Sequence, residues 1–328
     1  MSSMTRIQAP VSEELEHFKA HFKTAMKTDV VLLDRITRYI IKRKGKQMRP
    51  LFVFLTAKAL SGENNALGEK SHVAASLIEL LHTATLVHDD VVDESPLRRG
   101  FFSIQALWKK KIAVLVGDYL LSRGLLTAVD NEAYDLLKIT SEAVRLMSEG
   151  ELLQIEKARR LDITEEVYFE IIRRKTASLI ASCCACGAAS VNADDETVER
   201  MREFGELVGL AFQIKDDLLD LGDGDRIGKP TGGDIRERKM TLPLIHTLQT
   251  ADRSKRKRLI RLVKYRHHDN AAVQEVMNEI LQGPGMAYAR ERMNELKAKS
   301  LKLLDPVPDS PAKMALQELV EFTIERKR

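Results

Sequence analysis

Residues 77–94 read LIELLHTATLVHDDVVDE. The first eleven are apolar or small on nearly every face of a 3.6-residue period, which describes a helix buried in a core and not one lying on a surface. The helix then runs into acid. Asp89 and Asp93 stand four apart on one face, with Asp90 at the flank. Like charges so placed cost a helix about 0.2–0.5 kcal/mol per pair, so one cluster alone is often a solvated acidic face. A buried helix changes that reading, because its acidic turn opens into something other than bulk surface.

Working outward from this stretch, apolar residues recur at helical spacing almost everywhere, and no sustained alternation with turn dipeptides marks a sheet. Thr164 before Glu165 and Glu166, and Ser310 before Pro311, are helix starts; Gly283-Pro284-Gly285 and Asp305-Pro306-Val307-Pro308 are stops. Composition agrees: 44% hydrophobic, 30% charged and only 5% aromatic residues suit helices better than sandwiches or barrels. The expectation is an all-α protein of one domain spanning residues 1–328, with no solenoid repeat and no linker. A net charge of +4 demands no nucleic acid. No signal peptide and no run of about 18 apolar residues is read, so a soluble, cytoplasmic protein is expected. The three cysteines, Cys183, Cys184 and Cys186, sit in a small-residue apolar run without a histidine at zinc-ligand spacing and read as small core hydrophobes.

The acidic pattern returns in AFQIKDDLLDLGD, where Asp216, Asp217 and Asp220 repeat the DDxxD order at the end of another apolar run. Two copies need a common cause. If both helices face one cavity, the carboxylates stay ionised only with cations among them. Oxygen ligands without cysteine or histidine point to magnesium, which takes a few carboxylates and completes its shell with substrate phosphates. The implied ligand is a diphosphate or polyphosphate. Basic residues stand at the ends of apolar segments: Lys46 and Arg49, Arg98 and Arg99, Lys175, Lys229 and Lys239. Each alone reads as a solvated charge; together they suggest two anionic groups, one held through metals and one held directly. The stretch 222–239, GDGDRIGKPTGGDIRERK, reads as a long loop, either a functional cover or a disordered connection. It is not a nucleotide P-loop, because Lys229 is followed by Pro230 and no strand precedes it.

In order along the chain, GKQMRP, ELLHTATLVHDDVVDESPLRRG, GDYLLSRG, SEGELLQ, KTASL, GLAFQIKDDLLDLGD and GKPTGGDIRERKMTLPLI resemble the trans-isoprenyl diphosphate synthases, most closely the long-chain polyprenyl branch. The resemblance covers nearly the whole chain. It implies packed, mostly antiparallel helices around a deep central cavity, a homodimer, and condensation of isopentenyl diphosphate onto an allylic diphosphate such as the farnesyl or geranyl ester. It gives Asp89, Asp93 and Asp216, with Asp220 close by, the metal ions, about three magnesium ions per site once diphosphate is bound. Arg98, Lys175, Thr176, Gln213, Lys229 and Lys239 match positions that hold or cover the allylic diphosphate. Lys46, Arg49, His82 and Arg99 match the isopentenyl diphosphate pocket. The catalytic set so implied is Asp89, Asp93, Asp216, Lys175 and Lys239. Ala84 and Thr85, one turn before Asp89, stand where bulky aromatics stop chain growth early in this family, so a long product for a quinone side chain is expected. Leu81, Ile78 and Met147 are candidate floor residues.

Other readings are a short-chain farnesyl or geranylgeranyl synthase, a non-catalytic partner subunit, a terpene cyclase and a metal-dependent phosphohydrolase. The intact second motif speaks against the cyclase and against the partner subunit. The basic stretch 252–268 reads as an amphipathic helix, its charged face solvated or in passing contact with anionic lipid.

Overall fold

The computed structural model describes residues 3–42, 47–62, 65–98, 100–160, 163–222 and 232–325. They form helices α1 (Ser3–Gln8), α2 (Ser12–Ala25), α3 (Val31–Lys42), α4 (Met48–Ser61), α5 (Glu69–Val92), α6 (Ile104–Trp108), α7 (Lys110–Asp130), α8 (Tyr134–Arg160), α9 (Glu165–Ile172), α10 (Ser178–Ser190) and α11 (Asp195–Asp220). The series continues with α12 (Gly233–Arg236), α13 (Leu242–Thr250), α14 (Arg253–Tyr265), α15 (Asn270–Gln282), α16 (Gly285–Lys302) and α17 (Pro311–Glu325). The expected all-α class holds. The extended backbone among the described residues is a two-residue antiparallel ladder, β1 (Leu97–Arg98) against β2 (Phe101–Phe102), closed by Gly100 at φ 80°.

Capping follows the sequence. The Thr164 hydroxyl accepts the amide of Val167 and starts α9, and the Ser310 hydroxyl accepts the amide of Lys313 in the first turn of α17. The glycine-proline break at 283–285 separates α15 from α16.

The chain divides into two compact units. The first comprises Met1–Val144, Ser182–Arg202 and Pro306–Leu316. Its centre is α5, which packs against α2, α4 and α7. Helix α4 is buried continuously from Pro50 to Ala57, and α5 is buried almost throughout from Val73 to His82, so neither shows a single wet face. The close approach of α7 to α5 depends on Gly117: a Cβ there would lie 2.1 Å from Nε2 of His88. Cys183, Cys184 and Cys186 are fully buried and free. Burial pushes the Cys184 thiol up to about 12 and the other two well above their usual range, as expected of inert core residues.

The second unit comprises Arg145–Ala181, Glu203–Asp305 and Gln317–Arg328. Within it α13 packs against α9, α15 and α16. Between α9 and α10 the chain makes one π turn, Arg173–Ala177. Gly209 of α11 lies against this turn so closely that a Cβ would meet Cα of Ala177 at 2.5 Å.

Two expectations need correction. No long apolar run was read, yet α7 is long and apolar enough, by length and composition, to cross a membrane, and 33% of its apolar window is buried. Gly117, Asp118, Ser122 and Arg123 interrupt the run in the sequence while leaving an apolar face. The stretch 222–239 is also not all loop. Residues 223–231 lie outside the described residues, but Gly233–Arg236 form a helical turn.

Candidate active site

Both acidic motifs sit at the C-terminal end of a long helix. Asp89 and Asp90 lie in the last turn of α5, and Asp93 caps it, its amide donating to the carbonyl of Asp89 at 2.8 Å. Asp216, Asp217 and Asp220 form the last turn and a half of α11. A helix C-terminus carries partial negative charge, so carboxylates there oppose the macrodipole as well as one another. Each set is therefore a place where the fold spends stability on negative charge, and a bound cation would offset it.

In the first unit Asp89 is half-buried, Asp93 exposed and Asp90 buried. Side-chain Nε2 of Gln105 donates to the backbone carbonyls of Asp90 and Ser95, which ties α6 to this turn. His82 and Ala84 are buried on α5; Thr85 is half-buried, its hydroxyl donating to the His82 carbonyl at 2.9 Å. Arg49 is half-buried in the first turn of α4. Lys46, Arg99 and Lys229 lie outside the described residues, as does the side chain of Arg98.

In the second unit four of the predicted residues, Lys175, Thr176, Gln213 and Lys239, line a cavity of about 190 Å³ together with Asp217 and Asp234, whereas the predicted metal ligands Asp216 and Asp220 are not part of its lining. The π turn presents Lys175 and Thr176. Lys175 is ion-paired with Glu151 and lies 3.4 Å from Oε1 of Gln154. Gly150 lets the backbone of Lys175 come close, since a Cβ there would lie 2.7 Å from the Lys175 amide nitrogen. Lys239 pairs with Glu237 and lies 3.6 Å from Asp234.

A hydrogen-bond chain crosses this cavity wall. Tyr168 Oη donates to Asp217 Oδ2 at 2.7 Å, Gln213 Nε2 donates to Asp217 Oδ1 at 3.0 Å, and Thr176 Oγ1 donates to Gln213 Oε1 at 2.8 Å. Asp220 is engaged differently: Oδ1 accepts the Gly233 amide at 3.2 Å and Oδ2 the Asp234 amide at 3.0 Å. Burial, then the Asp234 carboxylate, pushes Asp217 up to about 8, with hydrogen bonds from Gln213 and Tyr168 pulling back. Burial pushes Asp234 up to about 6 against the pull of Lys239. A cavity in which carboxylates resist ionisation is one that would gain from a cation.

The donor set suits a hard divalent cation, being oxygen throughout. Among the described residues no three acidic, histidine or cysteine side chains are grouped so as to hold a metal alone. Sequence reasoning missed Tyr168, Gln154 and Asp234 as members of this wall, and Glu151 as the ion-pair partner of Lys175. Gln154 and Asp234 stood within motifs already singled out; Tyr168 carried no local signal.

Residues 30–280 match the polyprenyl synthetase family. The chain belongs to that family. As a member of the polyprenyl synthetases it is a prenyltransferase. It is 33% identical to the octaprenyl diphosphate synthase of Escherichia coli, over 99% of this chain and 100% of that one. A geranylgeranyl diphosphate synthase of Saccharolobus solfataricus is 31% identical over 97% of both chains, so long-chain and short-chain polyprenyl synthetases both resemble it. Among solved structures, a decaprenyl diphosphate synthase from Rhodobacter capsulatus superposes with a TM-score of 0.91 at 32% identity, covering 99% of each chain. A polyprenyl synthase from Caulobacter crescentus, complexed with calcium and isoprenyl diphosphate, superposes at 0.90 with 31% identity over 100% of both chains.

Proposed function

We propose that this polyprenyl synthetase is a magnesium-dependent, long-chain trans-polyprenyl diphosphate synthase that adds isopentenyl diphosphate repeatedly to an allylic diphosphate, with residues 1–328 acting as one catalytic domain. The observation that carries the proposal is the pair of aspartate sets on helix C-termini, the second beside a cavity lined by Lys175, Thr176, Gln213 and Lys239. Magnesium, when bound with the diphosphate, neutralises charge that grows on the departing pyrophosphate. Asp89, Asp93 and Asp216 hold the ions, and Asp220 stands by.

Lys175, Lys239, Lys229 and Arg98 bind the allylic diphosphate directly, and their charges favour breaking the allylic carbon–oxygen bond. Gln213 turns its amide nitrogen toward Asp217, so its carbonyl takes the only proton of the Thr176 hydroxyl. What Thr176 has left to offer is lone pairs, which suit the carbocation formed on ionisation. Lys46, Arg49, Arg99 and His82 hold isopentenyl diphosphate with its double bond toward that cation. The new bond leaves a second cation, and loss of a proton to the released pyrophosphate restores a double bond. No tuned protein base is needed.

Small residues at Ala84 and Thr85 favour a long product. A homodimer is proposed on the apolar face of α7, where Val114, Leu115, Leu125, Leu126 and Val129 are each at least 40% exposed in the single chain. We place the protein in the cytoplasm. Passing contact with anionic membrane is assigned to α14: Leu259, Leu262 and Val263 are buried within the fold, so this contact is through charge and not insertion. Failure to bind phosphatidylglycerol vesicles at physiological salt counts against it.

The test of the reaction is incubation with magnesium, farnesyl diphosphate and labelled isopentenyl diphosphate, followed by separation of the dephosphorylated products by length. A ladder ending in a long polyprenol is expected. Products of three or four isoprene units point to the short-chain reading, and no labelled lipid from folded protein to a partner-dependent subunit.

A further inference from the structure

We propose that Tyr168 is a positioning residue for prenyl transfer, acting through Asp217 to hold the Gln213 amide, and with it the Thr176 hydroxyl, in one hydrogen-bonding sense at the cavity wall. The inference rests on the reaction proposed above.

Tyr168 lies on α9 and is 5% exposed, and its ring packs edge-on against Phe169 with centroids 5.4 Å apart. A buried phenol must place its proton, and this one donates it to Asp217 Oδ2. Asp217 is equally buried, at 4% exposure, and takes Gln213 on its other oxygen. Each carboxylate oxygen thus has one named donor, and the two together fix the plane of the group.

That plane decides what Gln213 does. An amide has a donor end and an acceptor end, and the two can be exchanged by a half-turn of the side chain. With Asp217 accepting, the nitrogen end faces α11 and the oxygen end faces Thr176, whose single proton is thereby spoken for. Without the Tyr168 oxygen, Asp217 is held from one side only and turns about its last torsion. Gln213 then loses its fixed acceptor, and Thr176 loses its fixed orientation. Neither Tyr168 nor Asp217 need touch substrate for this; both act through Gln213.

The consequence falls on the chemical step and not on binding. The basic residues and the metal-holding carboxylates are left in place, so ground-state affinity for both diphosphates is retained, whereas a misplaced Thr176 hydroxyl meets the cation in the wrong sense. A Tyr168 that merely supported the fold would lower the melting temperature and leave the turnover of the folded fraction alone.

The experiment compares wild type, Tyr168→Phe, Asp217→Asn and the double variant, using magnesium, farnesyl diphosphate and labelled isopentenyl diphosphate, with a thermal melt of each. Tyr168→Phe is expected to lower kcat roughly 10- to 100-fold, the scale of a small misplacement, with KM for both substrates changed by less than about threefold. Because Tyr168 acts through Asp217, the double variant should be no slower than Asp217→Asn alone, within about twofold. A Tyr168→Phe kcat within about twofold of wild type overturns the inference, and so do losses that multiply in the double variant. Should Asp217→Asn fail to fold, the split between kcat and KM in Tyr168→Phe decides alone. A wild-type protein that forms no carbon–carbon bond removes the proposed reaction and this inference with it; an active wild type with an unimpaired Tyr168→Phe removes this inference only.

Discussion

Asp220 holds Asp234: its Oδ2 accepts the Asp234 amide at 3.0 Å while Oδ1 accepts that of Gly233 at 3.2 Å. Thirteen residues apart in sequence, the last aspartate of the second motif and the first turn of α12 are clipped together by the same bonds that begin an ordinary helix. The three aspartates of one motif therefore do three things. Asp217 anchors Tyr168 and Gln213, Asp220 anchors the chain after the glycine-rich stretch, and Asp216 is the one assigned chiefly to metal.

This separates two variants that the motif alone would treat alike. Asp220→Ala removes the acceptor of two backbone amides and should cost about 0.5–1.5 kcal/mol of stability per bond, seen as a lower melting temperature without any ligand. Asp216→Ala leaves the Asp220 bonds to Gly233 and Asp234 in place and should lose prenyl transfer more than about 100-fold, the scale of a missing electrostatic partner in the transition state. A melting temperature for Asp220→Ala equal to that of wild type would remove the anchoring role of Asp220.

A pH dependence follows from the crowded carboxylates. Asp217 and Asp234 are raised to about 8 and about 6 in the folded protein, against about 3.9 in an unfolded chain. Between those values the folded state binds more protons than the unfolded state, so unfolding free energy falls as pH rises. The contribution is complete below about pH 4 and is lost as pH passes 6 and then 8. In metal-free buffer the melting temperature should therefore decline between about pH 4 and 8, and Asp234→Asn should flatten the part of the decline below about pH 6. Magnesium with inorganic pyrophosphate should restore stability at the alkaline end, by about 2.7 kcal/mol at one hundred times the dissociation constant. A flat profile for the metal-free wild type would show that these carboxylates ionise as freely as exposed ones.

Helix ends were legible because the signals are local. Thr164, Ser310 with Pro311, and the glycine-proline break at 283–285 each act within four residues. Two copies of DDxxD were legible for the same reason, and the arrangement of basic residues was legible only through family resemblance. What could not be read is what depends on contacts between distant residues. Tyr168 meets Asp217 across 49 residues of sequence, and nothing around Tyr168 distinguishes it from any tyrosine on an amphipathic helix. The apolar face of α7 was hidden for a different reason: a run of apolar residues and an apolar face are different patterns, and Asp118 and Ser122 break the first without removing the second.

The cysteines offer a test of packing in the first unit. All three are wholly buried, and burial raises each thiol far from the range in which a reactive thiolate forms. Native protein at pH 8 should give essentially no colour with a disulfide reagent, and three thiols per chain once denatured. Rapid labelling of any one in the native state would mean that α10 opens from its unit.

Product length tests the reading of Ala84. The residue is 1% exposed on α5, five positions before Asp89, or about one and a half turns along the same helix. If the growing chain passes this point, Ala84→Phe should shorten the longest product while leaving the first condensation within a fewfold of wild type, because the side chain lies away from the diphosphates. If Ala84 instead only packs against a neighbouring helix, the added ring has nowhere to go: overpacking of about 1–3 kcal/mol should lower the melting temperature, and whatever activity survives should make products of unchanged length. Product distribution and melting temperature measured on the same preparation therefore distinguish a cavity wall from a helix contact.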